Sequence, residues 1–460
     1  MSVLNLDCRH GLAMLPDCSV DAILTDPPYH LVQNSRGGSP QPGDLSTPFG
    51  RSGPSRARGF MGHEWDGGDI AFQVELWREA LRVLKPGGHM LAFSGSRTYH
   101  RMTCAIEDAG FEVRDSIMWV YGSGFPKSLD ISKALDKLQG AERAVIGHGK
   151  NFGKTKLADG KTGFGDYAGE WDITAPATLI AQLWEGWGTG LKPAHEPICV
   201  ARKPMAADTV AANVMAWGVG GINVDGCRIA IDPVADASQL RTMSVSQHDG
   251  ADGWGMNTTR ANPAARVLGE EGRWPANFIH DGSPEVLALF PETAPSKSGG
   301  KSGSTAIWGD GSAKKLERGG FDDAGSAARF FQQCHWTQED LEAALFYYCA
   351  KASKRDKDEG LDHVTPKRVL ASVHGAFGDS KNPNHPRRNP HSTVKPTTLM
   401  RYLARLICPT GGTILDIFAG SGSTGKAAIL EGFQFLGFEL EAEFTDLANA
   451  RIEHARASRG

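Results

Sequence analysis

The stretch Thr25-Asp26-Pro27-Pro28-Tyr29 combines residue types that could do chemistry. It follows a short apolar run, residues 20–24, and places a carboxylate and an aromatic ring on either side of two prolines. The prolines fix two φ angles and remove two N–H donors, which leaves a stiff backbone with free carbonyl groups. Such a site suits a flat ring with an exocyclic amine, stacked on Tyr29 and donating to Asp26 and to the Pro27 carbonyl. A base flipped out of a DNA stack has this form. A proline-terminated strand with a surface tyrosine explains the same residues, so the rest of the chain must decide.

A glycine-rich loop near the C-terminus is the second stretch whose residue types suggest a functional site. Gly420, Gly422 and Gly425 form G-x-G-x-x-G between a predicted strand and a predicted helix, and Glu439 ends the next predicted strand. By position this is a dinucleotide fingerprint, in which the glycines allow a tight turn and the acid binds ribose hydroxyls. S-adenosylmethionine offers the same adenosine and ribose, and Asp416 just upstream could serve its ammonium group.

The composition is that of a soluble globular protein with two or three domains. The chain has 460 residues, 40% hydrophobic and 22% charged. Its net charge of −4 gives no global sign of nucleic-acid binding, so a DNA-binding face must be local. Eight cysteines without a CxxC pair predict reduced thiols in a cytoplasmic protein, and neither a signal segment nor a membrane span is recognised. Cys334, His335 and Cys349 match no familiar zinc spacing, so no metal site is predicted.

The elements that must position these residues alternate between strands and helices. Residues 20–121 run strand, helix, strand, helix, strand, which predicts a parallel sheet with helices on its faces. The C-terminal elements end 21 residues after Glu439. Because an open α/β sheet cannot end at its second strand, N-terminal strands must complete it. The sheet is therefore predicted to be circularly permuted, with Asp7 after its third strand and Asp26 after its fourth, at the edge where ligands bind.

The middle of the chain, residues 205–390, is rich in Gly, Asp, Ser and Asn and has only short apolar runs. We interpret it as a loop-rich region between a catalytic half, residues 1–204, and a cofactor half, residues 391–460. Its clearest predicted helix spans residues 340–350.

Two stretches are locally basic. Residues 34–62 hold four arginines against one acid, and residues 350–400 hold ten Lys and Arg against five acids. We interpret the second as a phosphate-contacting face, whereas a solvated linker explains the first equally well. The arginines assigned to DNA contact are Arg51, Arg56, Arg58, Arg387 and Arg388.

Taken together, these motifs resemble the β-class amino-methyltransferases of DNA, of the phage or prophage type. Asp-Pro-Pro-Tyr comes first and a Phe-x-Gly-x-Gly loop last, with a target-recognition region between them. Residues 413–439 match the cofactor motifs, and residues 391–396 resemble the segment that precedes them. Leu6-Asp7-Cys8 and Ala194-His195-Glu196 also resemble family positions.

The resemblance implies an α/β fold, a circularly permuted Rossmann-like sheet of seven strands with a loop-rich target-recognition insertion. It implies S-adenosylmethionine as cofactor and direct methyl transfer to an exocyclic amine of DNA. The implied catalytic residues are Asp26, Pro27, Pro28 and Tyr29. The implied cofactor-binding residues are Asp7, Cys8, His391, Thr393, Lys395, Asp416, Phe418, Ala419, Gly420, Gly422 and Glu439.

The resemblance also bears on the target base and on the partners of the protein. Relatives with Asp first and Tyr last in this motif mostly methylate adenine, which favours N6 of adenine over N4 of cytosine. An NAD-dependent oxidoreductase, an RNA or protein methyltransferase and a non-enzymatic DNA-binding module are the competing functions. DNA is the expected partner, while a homodimer and a restriction endonuclease partner are left open.

Overall fold

The described part of the chain forms a mixed α/β structure around one nine-stranded sheet. The computed structural model describes residues 2–30, 68–122, 128–150, 155–156, 162–163, 170–230, 272–293, 325–334, 354–364, 389, 391 and 393–459. The strands are β1 Val3–Asn5, β2 Val20–Thr25, β3 Leu84–Phe93, β4 Glu112–Val120, β5 Val145–Lys150, β6 Thr155–Lys156, β7 Thr162–Gly163, β8 Glu170–Thr174, β9 His195–Arg202, β10 Phe278–His280, β11 Glu292–Thr293, β12 Gly325–Ser326, β13 Gln332–Gln333, β14 Thr413–Asp416 and β15 Gln434–Glu439. The helices are α1 Cys8–Ala13, α2 Val74–Val83, α3 Tyr99–Asp108, α4 Ile131–Leu138, α5 Leu179–Leu183, α6 Val210–Trp217, α7 Pro284–Leu287, α8 Lys354–Asp358, α9 Thr397–Ile407, α10 Ser423–Glu431 and α11 Ala442–Arg459.

The sheet brings the two ends of the chain side by side. Its strand order is β1-β15-β14-β2-β3-β9-β4-β10-β13. The C-terminal strand β14 pairs in parallel with β15 on one side and with the N-terminal strand β2 on the other. Strand β1 pairs in parallel with the far side of β15. This order confirms the predicted circular permutation, because the N-terminal strands complete a sheet that the C-terminal strands begin.

The far half of the sheet differs from expectation. Strand β9 lies between β3 and β4 and is antiparallel to both, so the sheet is mostly but not wholly parallel. Strands β10 and β13 extend it beyond β4, so the sheet has nine strands among the described residues instead of the expected seven. Both extra strands come from residues 205–390, so this part of the middle region is continuous with the sheet. Which strands pair depends on tertiary packing, which local sequence periodicity does not record.

Strand β2 is buried on both faces. Ala22 and Leu24 pack in the same apolar cluster as Leu399 of α9, whereas Ile23 packs in the cluster on the other face with Trp77 of α2. All five side chains are completely buried. Burying each large apolar side chain contributes roughly 1.5–3 kcal/mol. The strand that leads into Asp-Pro-Pro-Tyr is therefore held rigidly.

Several sequence predictions concern residues outside the described ranges. These include the predicted helix 340–350 and the residues His335 and Cys349. Cys334 is described, and burial raises the pKa of its thiol to about 12. Among the described residues, we find no group of His, Cys, Asp and Glu side chains arranged to hold a metal ion. No helix in the described ranges combines the length and the apolar character that a membrane crossing requires.

Candidate active site

A cavity of about 310 Å³ lies where β2, β14 and β15 end. The carboxyl ends of parallel strands meet at one edge of a sheet, and ligands bind there in open α/β folds. The sequence-predicted site residues that line the cavity are Asp7, Cys8, Asp26, Pro28, His391, Thr393, Lys395, Asp416, Phe418, Ala419, Gly420 and Glu439. The fold thus brings the proline motif and the glycine loop to one cavity, although almost 400 residues separate them in sequence.

Both carboxylate oxygens of Asp26 are engaged. The hydroxyl of Tyr29 donates to Oδ1 at 2.8 Å, and the ammonium of Lys395 donates to Oδ2 at 2.7 Å. The Lys395 side chain is 7% exposed and that of Asp26 18%. The sequence predicts Lys395 as a cofactor-binding residue, and its ammonium contacts the proline motif directly.

Glu196 completes this cluster, and sequence reasoning does not place it in the site. Its Oε2 lies 3.0 Å from the Tyr29 hydroxyl oxygen, as a second acceptor for that single O–H, and 3.1 Å from the Lys395 ammonium. Glu196 lies near the start of β9, and the antiparallel course of this strand brings it to the cavity edge. The available signal is the stretch Ala194-His195-Glu196, which resembles family positions and precedes an apolar run.

Burial and charge set the protonation of the cluster. Burial raises the pKa of the Asp26 carboxyl above its ordinary value, the Lys395 ammonium opposes this rise, and Glu196 adds to it. Burial, with Asp26 and Glu196 as acceptors, also raises the pKa of Tyr29 well above its ordinary value. Tyr29 is therefore a neutral donor. The cluster brings two acids and one ammonium together, so acids outnumber cations at this edge of the cavity.

The glycine loop is tied to the end of the next strand. Glu439 accepts from the backbone N–H of Gly420 at 2.8 Å and from that of Glu441 at 2.9 Å. An ionised carboxylate has about four acceptor sites, so Glu439 keeps capacity for ligand hydroxyls. Gly420 has φ +51°, and a Cβ there would lie 3.0 Å from Nε2 of His391. A side chain at this position would be strained and would crowd the wall of the cavity.

Asp416 lies beneath the loop and links the two halves of the sheet. Its Oδ1 accepts from the Thr25 hydroxyl at 2.7 Å and from the Phe418 N–H at 3.0 Å. The residue is only 2% exposed, and burial raises its pKa to about 6. The geometry supports a role in holding the loop, because the carboxylate already serves neighbouring groups of the protein.

Asp7 and Cys8 also line the cavity. Asp7 caps α1 by accepting from the Arg9 N–H at 2.9 Å, and its second oxygen pairs with the Arg9 side chain at 2.9 Å. Hydrogen bonding to Arg9 lowers the pKa of the Asp7 carboxyl. Burial raises the pKa of the Cys8 thiol to about 11, so this cysteine is neutral and provides apolar surface.

Three of the predicted residues do not line the cavity. Gly422 packs against α11, where a Cβ would lie 2.9 Å from Cα of Ala448. Pro27 is buried, and Tyr29 packs at the edge of the core with its hydroxyl on Asp26.

The arginines assigned to DNA contact, at positions 51, 56, 58, 387 and 388, lie outside the described residues. The described residues on either side of the first basic stretch do reach the cavity. Pro28 and Gly68 both line it, and Nδ1 of His30 lies 2.8 Å from the carbonyl oxygen of Gly68.

The known proteins that this chain is similar to include DNA methyltransferases. Type II methyltransferase M.BglI of Bacillus subtilis is 35% identical over 77 residues, 17% of this chain and 22% of that protein. DNA adenine methyltransferase YhdJ of Escherichia coli K12 is 35% identical over 65 residues, 14% of this chain and 22% of that protein. The matches therefore span about a fifth of the length of these curated relatives.

A solved structure, the PvuII DNA methyltransferase (cytosine-N4-specific), aligns with 12% identity and a TM-score of 0.38 over 98% of this chain and 87% of that one. The model of the N6/N4 methyltransferase family, described as DNA methylase, matches residues 20–450, which is nearly the whole chain. That match includes the proline motif, the glycine loop and Glu439. This chain therefore belongs to the N6/N4 DNA methylase family.

Proposed function

We propose that this protein transfers a methyl group from S-adenosylmethionine to N6 of adenine in DNA. The proposal rests on one observation: Asp26 and Pro28 line the same cavity as the glycine loop and Glu439. Family membership supports a DNA base as the methyl acceptor. Adenine is favoured because Asp stands first and Tyr last in the proline motif, and N4 of cytosine is the second candidate.

The residues present fit S-adenosylmethionine. Glu439 offers acceptors for ribose hydroxyls, and Phe418 and Phe444 supply aromatic wall for an adenine ring. The cluster of Asp26, Glu196 and Lys395 places two acids and one ammonium where the positively charged end of the cofactor would react. Bound there, the cofactor supplies an electrophilic methyl group on a sulfonium.

The chain's own groups activate and hold the target amine. An aromatic amine is a weak nucleophile because its lone pair is delocalised into the ring. Hydrogen bonds from the amine to Asp26 and to the Pro27 carbonyl favour a pyramidal nitrogen and localise that pair. Transfer of the methyl group would break the carbon–sulfur bond and make the nitrogen cationic until it loses a proton to water, and the Asp26 carboxylate would stabilise the developing charge. Positioning of nitrogen and carbon in line contributes the other large part of the rate.

Tyr29 and Lys395 hold Asp26 for this task. Their donors engage one carboxylate oxygen each, so the carboxylate is fixed before the base arrives. Stacking of the flipped base on the Tyr29 ring stays a prediction from the sequence, worth roughly 1–3 kcal/mol. The contact with Asp26 supports a second role for Tyr29, orientation of the catalytic carboxylate.

A methyl-transfer assay tests the proposed function against the competing ones. Tritium from labelled S-adenosylmethionine should enter duplex DNA, and should not enter RNA or protein offered at equal concentration. Equilibrium dialysis should show binding of S-adenosylmethionine and none of NAD. Label in RNA or protein, or binding of NAD alone, would refute the proposal.

Replacing Glu439 with alanine should weaken S-adenosylmethionine binding while DNA affinity is kept. The variant loses acceptors for the ribose and for the Gly420 N–H. Hydrogen bonds to a charged group are worth about 1.5–3 kcal/mol, so the dissociation constant should rise roughly 10- to 100-fold. Calorimetric titration measures it. The control is Glu441→Ala, which removes a neighbouring exposed acid but keeps its backbone donor. Equal cofactor affinity in both variants would contradict the assignment of Glu439 as a cofactor-binding residue.

A further inference from the structure

A buried cluster of charges lies beneath the glycine loop, away from the proline motif. Lys426 of α10 has its ammonium 2.6 Å from Asp356 Oδ1 and 2.5 Å from Glu359 Oε2. The Arg451 guanidinium of α11 lies 3.7 Å from the same Oδ1. Lys426 and Arg451 are 3% and 0% exposed. Two cations this deep would be costly without the two acids, which come from residues 354–364 of the middle region.

Asp356 also holds the start of α9. The backbone N–H of Thr397, the first residue of that helix, donates to Asp356 Oδ2 at 2.8 Å, and the Thr397 hydroxyl donates to Oδ1. The helix has no capping side chain of its own, because Pro396 stands at the N-cap position. The carboxylate thus satisfies a helix-terminal donor and complements the helix dipole. Lys395, whose ammonium bonds to Asp26, stands two residues before Thr397.

Arg451 connects Asp356 to the glycine loop. One guanidinium nitrogen of Arg451 donates to the Asp356 carbonyl oxygen at 3.1 Å, and the other donates to the Ser421 carbonyl oxygen at 2.6 Å. Ser421 stands between Gly420 and Gly422 and lines the cavity. The position of Asp356 therefore bears on both the glycine loop and the lysine that contacts the proline motif.

We propose that Asp356 is a positioning residue of the cofactor site. It fixes the glycine loop through Arg451, and it fixes Lys395 through the start of α9. The inference rests on the proposed function, since it concerns the site that would hold S-adenosylmethionine. Asp356 itself does not line the cavity, so its effect on the cofactor is indirect.

Asp356→Asn tests this proposal, because it removes the charge and keeps the shape. Misplacement of a site by about 1 Å can cost up to 10²-fold, so the dissociation constant for S-adenosylmethionine should rise by roughly 10-fold or more. The DNA dissociation constant should change less than about twofold, since the phosphate contacts that dominate it are untouched. The matched control is Glu359→Gln, which removes the same charge from the same segment and the ion pair with Lys426, but leaves the Asp356 carboxylate with Thr397 and Arg451. It should change cofactor affinity far less.

A second variant separates loss of positioning from loss of the folded structure. The double variant Asp356→Asn, Lys426→Met removes one buried cation and the charge of its acid together. It should therefore unfold cooperatively, with a midpoint temperature near that of the wild type. Cofactor binding that stays weak in this folded double variant supports positioning. Wild-type affinity in either Asp356 variant, or an equal loss in Glu359→Gln, would overturn it. A wild-type protein that does not bind S-adenosylmethionine would instead refute the proposed function.

Discussion

Replacing Asp26 with alanine should abolish methyl transfer to DNA while S-adenosylmethionine still binds. The variant removes the acceptor that localises the amine lone pair and the charge that stabilises the cationic nitrogen. Loss of one preorganised group aimed at developing charge costs roughly 10²–10³-fold in rate. The cofactor's ribose contacts are expected at Glu439, on another strand, so its affinity should change little. Methyl incorporation and cofactor titration on the same preparation measure both quantities.

The matched control is Asp108→Ala, which removes an exposed acid at the end of α3. This variant should retain the wild-type rate. If Asp26→Ala kept more than about a tenth of that rate, stabilisation by this carboxylate would be too small to account for catalysis.

Replacing Lys395 with methionine should move the acid limb of the rate profile to higher pH. Asp26 must be ionised to accept from the amine, so the rate falls as pH drops through its pKa. Burial already raises that pKa, and the Lys395 ammonium is the largest influence that opposes the rise. Without it, the Asp26 carboxyl loses its paired ammonium while Glu196 stays close, and protonation of Asp26 becomes easier. The limb must therefore shift upward, and a rate profile from about pH 5 to 9 would reveal it.

Lys395→Arg is the rescue variant for this prediction. It restores the positive charge with different geometry, so the acid limb should return toward the wild-type pH even where the maximal rate does not. Thermal unfolding checks that each variant is folded, because leaving buried charges unpaired costs about 3–5 kcal/mol. An unshifted acid limb in folded Lys395→Met would show that Lys395 does not control the protonation of Asp26.

The sequence predicts the permuted sheet, and most of the predicted catalytic and cofactor-binding residues line the cavity, for a definite physical reason. The position where each strand ends is indicated locally, because an apolar run is followed there by a polar or glycine-rich turn. Once the strands are treated as parallel, Asp7, Asp26, Asp416 and Glu439 have to share one edge. All four line the cavity.

The residues that the sequence does not reveal depend on long-range pairing and burial. Glu196 reaches the site only because β9 runs antiparallel between β3 and β4, which no local pattern indicates. Asp356 stands in a stretch of alternating charges, Lys354 to Glu359, within the segment interpreted from sequence as a basic surface face. Its burial follows from Lys426 and Arg451, 70 or more residues later in the chain. A charged run predicts solvent exposure unless its partners are known.

Mass spectrometry of nucleosides from treated DNA tests the central claim most directly. Unmethylated duplex DNA is incubated with the wild-type protein and S-adenosylmethionine, digested to nucleosides, and compared with a reaction that contains Asp26→Ala. The account predicts N6-methyladenine in the wild-type reaction and none above background in the variant. N4-methylcytosine without methyladenine would overturn the assignment of the base. Absence of both products from a protein that binds S-adenosylmethionine would contradict the proposal that it methylates amines of DNA bases.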